Sequence, residues 1–206
     1  MENDANARKA GGPPALPVWR SRGYLPHYDS DKVFQFITYR LADSLPKSVI
    51  EALRRRHDGD EASFHKAVEA GLDGCHGCCV LRRPEVARLV IENWRHFHGV
   101  RYGLIGWVVM PNHVHLLIYP FPGHGLAEIV HGWKSYTAKR VLEMRGVDFA
   151  DHRVWQEEYR DRFIRDERHY HAALAYIADN PVKAKLAERP EQWPWSHVSG
   201  REGAAS

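Results

Sequence analysis

The chain has 206 residues, enough for one domain with short extensions. Its apolar share of 44% supports a buried core, and no apolar run is long enough to span a membrane. A net charge of +3 alongside 14 histidines permits a nucleic-acid partner without demanding one.

Residues 1–21 read as a disordered tail. Met1 to Pro17 is rich in Ala, Gly, Pro and Asn and lacks the apolar centre of a secretory signal, so a cytoplasmic location is expected. Tyr24-Leu25-Pro26-His27 reads as a loop. Val33 to Leu41, aromatic and β-branched, is the first expected strand. Ser44-Leu45-Pro46 opens a helix that the pattern carries from Lys47 to about Ala70. The loop after it holds all three cysteines, Cys75, Cys78 and Cys79. The Cys-x-x-Cys spacing with His76 is half of a zinc site, but the second tight pair is missing, so reduced thiols are expected.

Pro84 opens a second helix, to about His98, with Val86, Leu89, Val90, Ile91 and Trp94 on its apolar side. Tyr102 to Met110 and His113 to Tyr119 read as antiparallel strands joined through Pro111-Asn112. A helix from Leu126 to about Met144 carries Trp133, Lys134, Tyr136, Lys139 and Arg140. Arg162-Phe163-Ile164-Arg165 reads as part of an edge strand or short hairpin. Asp166-Glu167 opens a last helix, its acids favourable to the dipole, which Pro181 should stop. Trp193-Pro194-Trp195-Ser196 reads as an aromatic plug. The domain is expected over 22–198, followed by a flexible tail at 199–206. Strand, helices, strand, strand, helix, strand, helix is the order of a split βαβ fold: α+β, an antiparallel sheet with helices on one face.

The chemistry-bearing stretch is Val108 to Ile118. Strand side chains alternate, so His113 and His115 point the same way and offer two imidazoles to one metal ion. Tyr176 and Asn180 lie one turn apart on one face of the last helix. An amide oxygen there can complete the shell of a hard divalent ion, Mg²⁺ or Mn²⁺, and a phenol can attack a phosphodiester. Residue types alone leave alternatives open. Tyr176 also suits the core, Asn180 a helix C-cap, and Tyr136, Tyr159 and Tyr170 are competing phenols.

Pro111-Asn112-His113-Val114-His115 resembles the HUH motif (His, hydrophobic, His) of single-tyrosine transposases. Asn180-Pro181-Val182-Lys183 after a tyrosine-bearing helix resembles the end of the same domain. Arg22-Gly23-Tyr24-Leu25-Pro26-His27, Thr38 to Pro46, Trp155-Gln156 and Phe163-Ile164-Arg165-Asp166 are similar to the REP-associated tyrosine transposases, from about Arg22 to Trp195. The resemblance implies a ferredoxin-like HUH domain with His113, His115 and Asn180 as metal ligands and Tyr176 as nucleophile. It also implies a single-stranded DNA substrate with hairpins (REP-like palindromes), cleaved through a 5′-phosphotyrosine and rejoined, by a monomer or homodimer. Lys134, Lys139, Arg140, Arg160, Arg162, Arg165, Lys183 and Lys185 are the expected phosphate contacts, and Trp133 or Tyr136 the stacking platforms. The competing expectation is a hairpin-binding module without catalysis.

Overall fold

The computed structural model describes residues 18–21, 26–29, 33–147, 149 and 152–199. The expected tails at 1–17 and 200–206 lie outside them. Val18–Ser21 (β1) and Pro26–Asp29 (β2) form a two-stranded antiparallel sheet, so strand structure begins earlier than the expected domain start and takes in part of the expected loop.

The main sheet uses Gln35–Arg40 (β3), Tyr102–Val109 (β4), His113–Pro120 (β5), Arg160–Phe163 (β6) and Ser196–Val198 (β7). Its order is β6-β3-β5-β4-β7, every pair antiparallel. Without β7 this is the split βαβ order expected from the sequence. The last strand is added by the aromatic plug. Trp193 donates its indole N–H to the Val109 carbonyl at 2.9 Å, and Val109 N–H reaches the Trp195 carbonyl at 2.9 Å. Ser199 still donates to the Ile105 carbonyl at 3.0 Å, so the first residue of the expected flexible tail at 199–206 is bonded to the sheet.

The helices are Lys47–Arg56 (α1), Glu61–Asp73 (α2), Pro84–His96 (α3), Leu126–Leu142 (α4) and Glu167–Lys183 (α5). The single helix expected from Lys47 to Ala70 is two. Gly59 takes a left-handed φ of 76°, and Asp60 caps the second helix by accepting from Ser63 N–H at 3.0 Å. The last helix does not stop at Pro181. That residue lacks one donor only, and the turn closes beyond it through Ala184 N–H to the Asn180 carbonyl at 3.0 Å.

The expectation of helices on one face holds for α3 and α4 and fails for α5. Val86, Val90 and Trp94 of α3 and Ile129, Val130 and Trp133 of α4 share a core with Ile37, Tyr39, Leu104, Trp107, Val114 and Leu116. On the opposite face Ala173, Leu174 and Ile177 of α5 pack on Val108, Met110 and Leu117. A bulge in β4 makes both faces apolar. Leu104 pairs with Ile118 and Gly106 with Leu117, so Ile105 is the extra residue that resets the alternation. Leu104 and Trp107 therefore face α3 and α4, while Ile105 and Val108 face α5. Among the described residues no helix is long and apolar enough to cross a membrane.

Candidate active site

β5 presents His113 and His115 to the α5 face of the sheet, where Leu117 also points. Both imidazoles are buried, at 1% and 0% exposure, on a strand of apolar residues. Each has its Nδ1 engaged. His115 Nδ1 lies 2.7 Å from Thr38 Oγ1, on the directly opposed position of β3. His113 Nδ1 lies 2.8 Å from Asn112 Oδ1. The Asn112 amide nitrogen donates to the His76 carbonyl at 3.0 Å, which turns Oδ1 toward the ring. An amide oxygen only accepts, so His113 carries its proton on Nδ1 and presents a lone pair at Nε2.

Burial holds both rings neutral. It lowers His113, helped by the Arg40 charge, to about 3, and it lowers His115 well below the ordinary value, with His113 and Arg160 contributing. A neutral imidazole is the form that binds a metal.

α5 lies across this pair and supplies Tyr176 and Asn180, one turn apart on its buried side. The Tyr176 ring meets the His115 ring edge-on at 5.1 Å between centroids, and the His113 and His115 rings lie 4.8 Å apart. Phe36 stacks on His115 at 5.5 Å and meets Tyr176 edge-on at 5.7 Å, so the imidazole is fixed by ring contacts as well as by Thr38. Because the helix runs through Pro181, Asn180 is no C-cap. It is 1% exposed and belongs to the helix body.

Two buried polar atoms here have no hydrogen-bond partner, His115 Nε2 and Asn180 Oδ1. Each such orphan costs about 1–3 kcal/mol in an apolar interior. Both are good donors to a divalent cation, and a bound ion would satisfy both at once. The amide oxygen suits a hard ion such as Mg²⁺ or Mn²⁺, and the two neutral imidazoles add nitrogen donors that a divalent transition ion such as Mn²⁺ accepts. Among the described residues no three His, Cys, Asp or Glu side chains converge on a metal, so a third protein ligand beside the histidines would have to be an amide such as Asn180.

Tyr176 is half-buried, and burial raises its phenol, with the Glu69 and Asp73 carboxylates of α2 adding to the effect. A hydrogen bond from Asn180 and the charge of Arg160 pull the other way. Lys183 places its ammonium 4.9 Å from the Tyr176 ring centre.

The structure sorts the expected DNA contacts into two places. Lys183, and Arg162 on β6 opposite Phe36, lie on the Tyr176 side of the sheet. Arg165 follows β6, exposed, with its guanidinium 5.9 Å from the Phe163 ring. Lys134, Tyr136, Lys139 and Arg140 ride on α4, against the opposite face, and are not brought to the phenol. Lys134 donates to the Glu157 carbonyl, and Arg140 pairs with Glu143 at 3.2 Å. Tyr136 is 49% exposed and free to stack, whereas Trp133 is sealed in the core with its indole N–H on Tyr102 Oη at 2.8 Å. Trp133 is therefore no stacking platform.

Sequence reasoning missed Thr38, placed Arg160 only among the phosphate contacts near the last strand, and saw Asn112 only as a strand breaker. Period-two alternation puts Thr38 and Arg40 on one face, but which strand lies beside them is long-range information. The cysteine loop also proves structural. Cys78 N–H donates to Asp43 Oδ2 at 2.7 Å, Cys79 Sγ donates to the Cys75 carbonyl at 2.9 Å, and the loop offers the His76 carbonyl that orients Asn112.

Residues 88–180 match the family model described as "Transposase IS200 like". A REP-associated tyrosine transposase of Escherichia coli is 29% identical over 90 residues, 44% of this chain and 50% of that protein. The chain thus spans about half the length of the curated relative it matches. A solved structure of a REP-associated tyrosine transposase bound to a REP hairpin shares the fold, with a TM-score of 0.54 at 16% identity over 84% of this chain and 81% of that one. The segment that holds both histidines, Tyr176 and Asn180 is the one that matches the IS200-like transposase model, and the chain around it shares its fold with a solved REP-associated tyrosine transposase.

Proposed function

We propose that the protein cleaves and rejoins single-stranded DNA beside a hairpin, with Tyr176 as the nucleophile. The observation that carries this reading is the meeting of one phenol with two orphaned donor atoms, His115 Nε2 and Asn180 Oδ1, in a buried site. The family match and the hairpin-bound relative support DNA of this kind as the partner.

His113, His115 and Asn180 would hold Mg²⁺ or Mn²⁺, which when bound would polarise the scissile phosphate and offset the charge growing on its oxygens. Tyr176 Oη attacks phosphorus as the bond to the 3′ oxygen breaks. The products are a 5′-phosphotyrosine and a free 3′-hydroxyl, and the phosphodiester energy is kept for rejoining. The phenol must first lose its proton against burial and two carboxylates; Asn180 and Arg160 favour the phenolate. Thr38 and Asn112 keep each imidazole in one orientation with Nε2 presented. Phe36 packs edge-on against the phenol ring and restricts its orientation.

The test is a denaturing gel of protein with labelled hairpin DNA carrying single-stranded flanks, with and without Mg²⁺ or Mn²⁺, beside Tyr176→Phe. The expected result is a metal-dependent adduct that Tyr176→Phe abolishes. An adduct surviving in Tyr176→Phe would move the nucleophile to another tyrosine. No adduct with a retained native-gel shift would leave a hairpin-binding module.

A further inference from the structure

We infer that Arg160 binds the scissile phosphate, held in place by Glu69, so that the α1–α2 helix pair becomes part of the reaction site. The inference rests on the strand-cleavage reading above. Arg160 stands opposite Thr38 in the β6–β3 ladder, and Thr38 stands opposite His115 in the β3–β5 ladder. Directly opposed residues project to the same side. Arg160, Thr38 and His115 therefore form one row across the α5 face, next to Tyr176. The guanidinium is close enough to act electrostatically on both the phenol and His115.

The guanidinium is aimed. Its Nη1 donates to Glu69 Oε1 at 2.7 Å, both side chains being about a quarter exposed, at 23% and 24%. Glu69 belongs to α2, outside the matched segment 88–180, so the partner comes from the stretch between β3 and α3. Nη1 is thus engaged while Nε and Nη2 remain for a ligand among the described residues. A planar guanidinium with two donors left suits two non-bridging oxygens of one phosphate. There is room for the strand. Arg160, Glu69 and Thr38 line a cavity of about 630 Å³ between α1–α2 and the sheet edge, which Arg40, Arg54 and Arg153 also border. A cavity this open and this rich in arginine is suited to a polyanion.

In the reaction Tyr176 Oη bonds to phosphorus while the P–O3′ bond breaks. The phenol proton leaves to solvent and the 3′ oxygen takes one up. Arg160 exchanges no proton. It meets negative charge on the non-bridging oxygens, which is greatest as the two P–O bonds change over.

The experiment is single-turnover adduct formation by the full chain with Mn²⁺ and hairpin DNA. Two substrates are compared, one with an ordinary phosphodiester at the mapped cleavage position and one with an uncharged methylphosphonate there. Arg160→Gln should slow the phosphodiester reaction roughly 100-fold, the scale for losing one charge-stabilising donor group, and the methylphosphonate reaction less than about tenfold. Arg160→Lys, which keeps the charge, should fall between and guards against a folding defect in the first variant. Mn²⁺ titration should give both variants the wild-type affinity. Equal slowing on the two substrates, or a wild-type rate from Arg160→Gln, overturns the assignment while leaving Tyr176 cleavage standing. A wild type that forms no adduct on the phosphodiester overturns the cleavage reading and the role of Arg160 with it.

Discussion

His115→Ala should abolish metal-dependent adduct formation, with a loss of at least about a thousandfold, corresponding to about 4 kcal/mol of transition-state stabilisation. Three contacts end together in that variant. The orphaned Nε2 disappears from the site, Thr38 Oγ1 loses its partner, and the ring between Phe36 and Tyr176 is replaced by a methyl group. The first removes a metal donor and the other two loosen the phenol. Mn²⁺ titration separates them. Loss of the donor shows as weakened ion binding, whereas loosening alone leaves ion affinity intact and lowers only the rate. The hairpin mobility shift should survive, because the cations proposed to contact phosphate lie elsewhere on α5 and β6. Undiminished adduct yield from His115→Ala would remove the metal site from the mechanism.

The largest effect on stability should come from the other face of the sheet. Trp94 is fully buried, and its indole N–H donates to Tyr39 Oη at 2.8 Å. The backbone carbonyl of Trp94 accepts from Tyr102 Oη at 2.7 Å, and Tyr102 Oη in turn accepts from the Trp133 indole at 2.8 Å. Two strands, β3 and β4, and two helices, α3 and α4, are thus tied through the polar ends of otherwise apolar rings. Trp94→Ala opens a cavity worth about 3–5 kcal/mol. It also leaves the Tyr39 hydroxyl without its donor, so the upper end of that range is expected. For a chain of this size that is a fall in Tm of roughly 10–20 °C. Urea unfolding followed by tryptophan fluorescence and far-ultraviolet dichroism measures it. A cost below about 1.5 kcal/mol would mean that the rings can repack and that this network does not fix α3 on the sheet.

Much of this architecture was legible in the chain. The paired histidines on an apolar strand, the tyrosine one turn before an asparagine, and the split βαβ order needed only local periodicity. What escaped was long-range or parity-dependent. Ile105 resets β4 by one residue, and nothing in Tyr-Gly-Leu-Ile-Gly-Trp announces a bulge. Pro181 argued for a helix end, but it sits where one missing donor is cheap, and Asn180 is consequently inside the helix. The α4 cations looked like companions of Tyr176 because sequence gives a helix face without giving a sheet face. Arg160 and Glu69 are separated by 91 positions, so their ion pair has no local signature.

One arrangement described above bears on stoichiometry. Tyr176 and both histidines meet within a single chain, through α5 folding back over its own β5. Chemistry run in this arrangement is first order in protein, each chain counting once. Mixing His115→Ala with Tyr176→Phe should then restore nothing, since each molecule keeps its own defect. Recovered adduct in the mixture would mean that the reacting phenol and imidazoles come from two different chains.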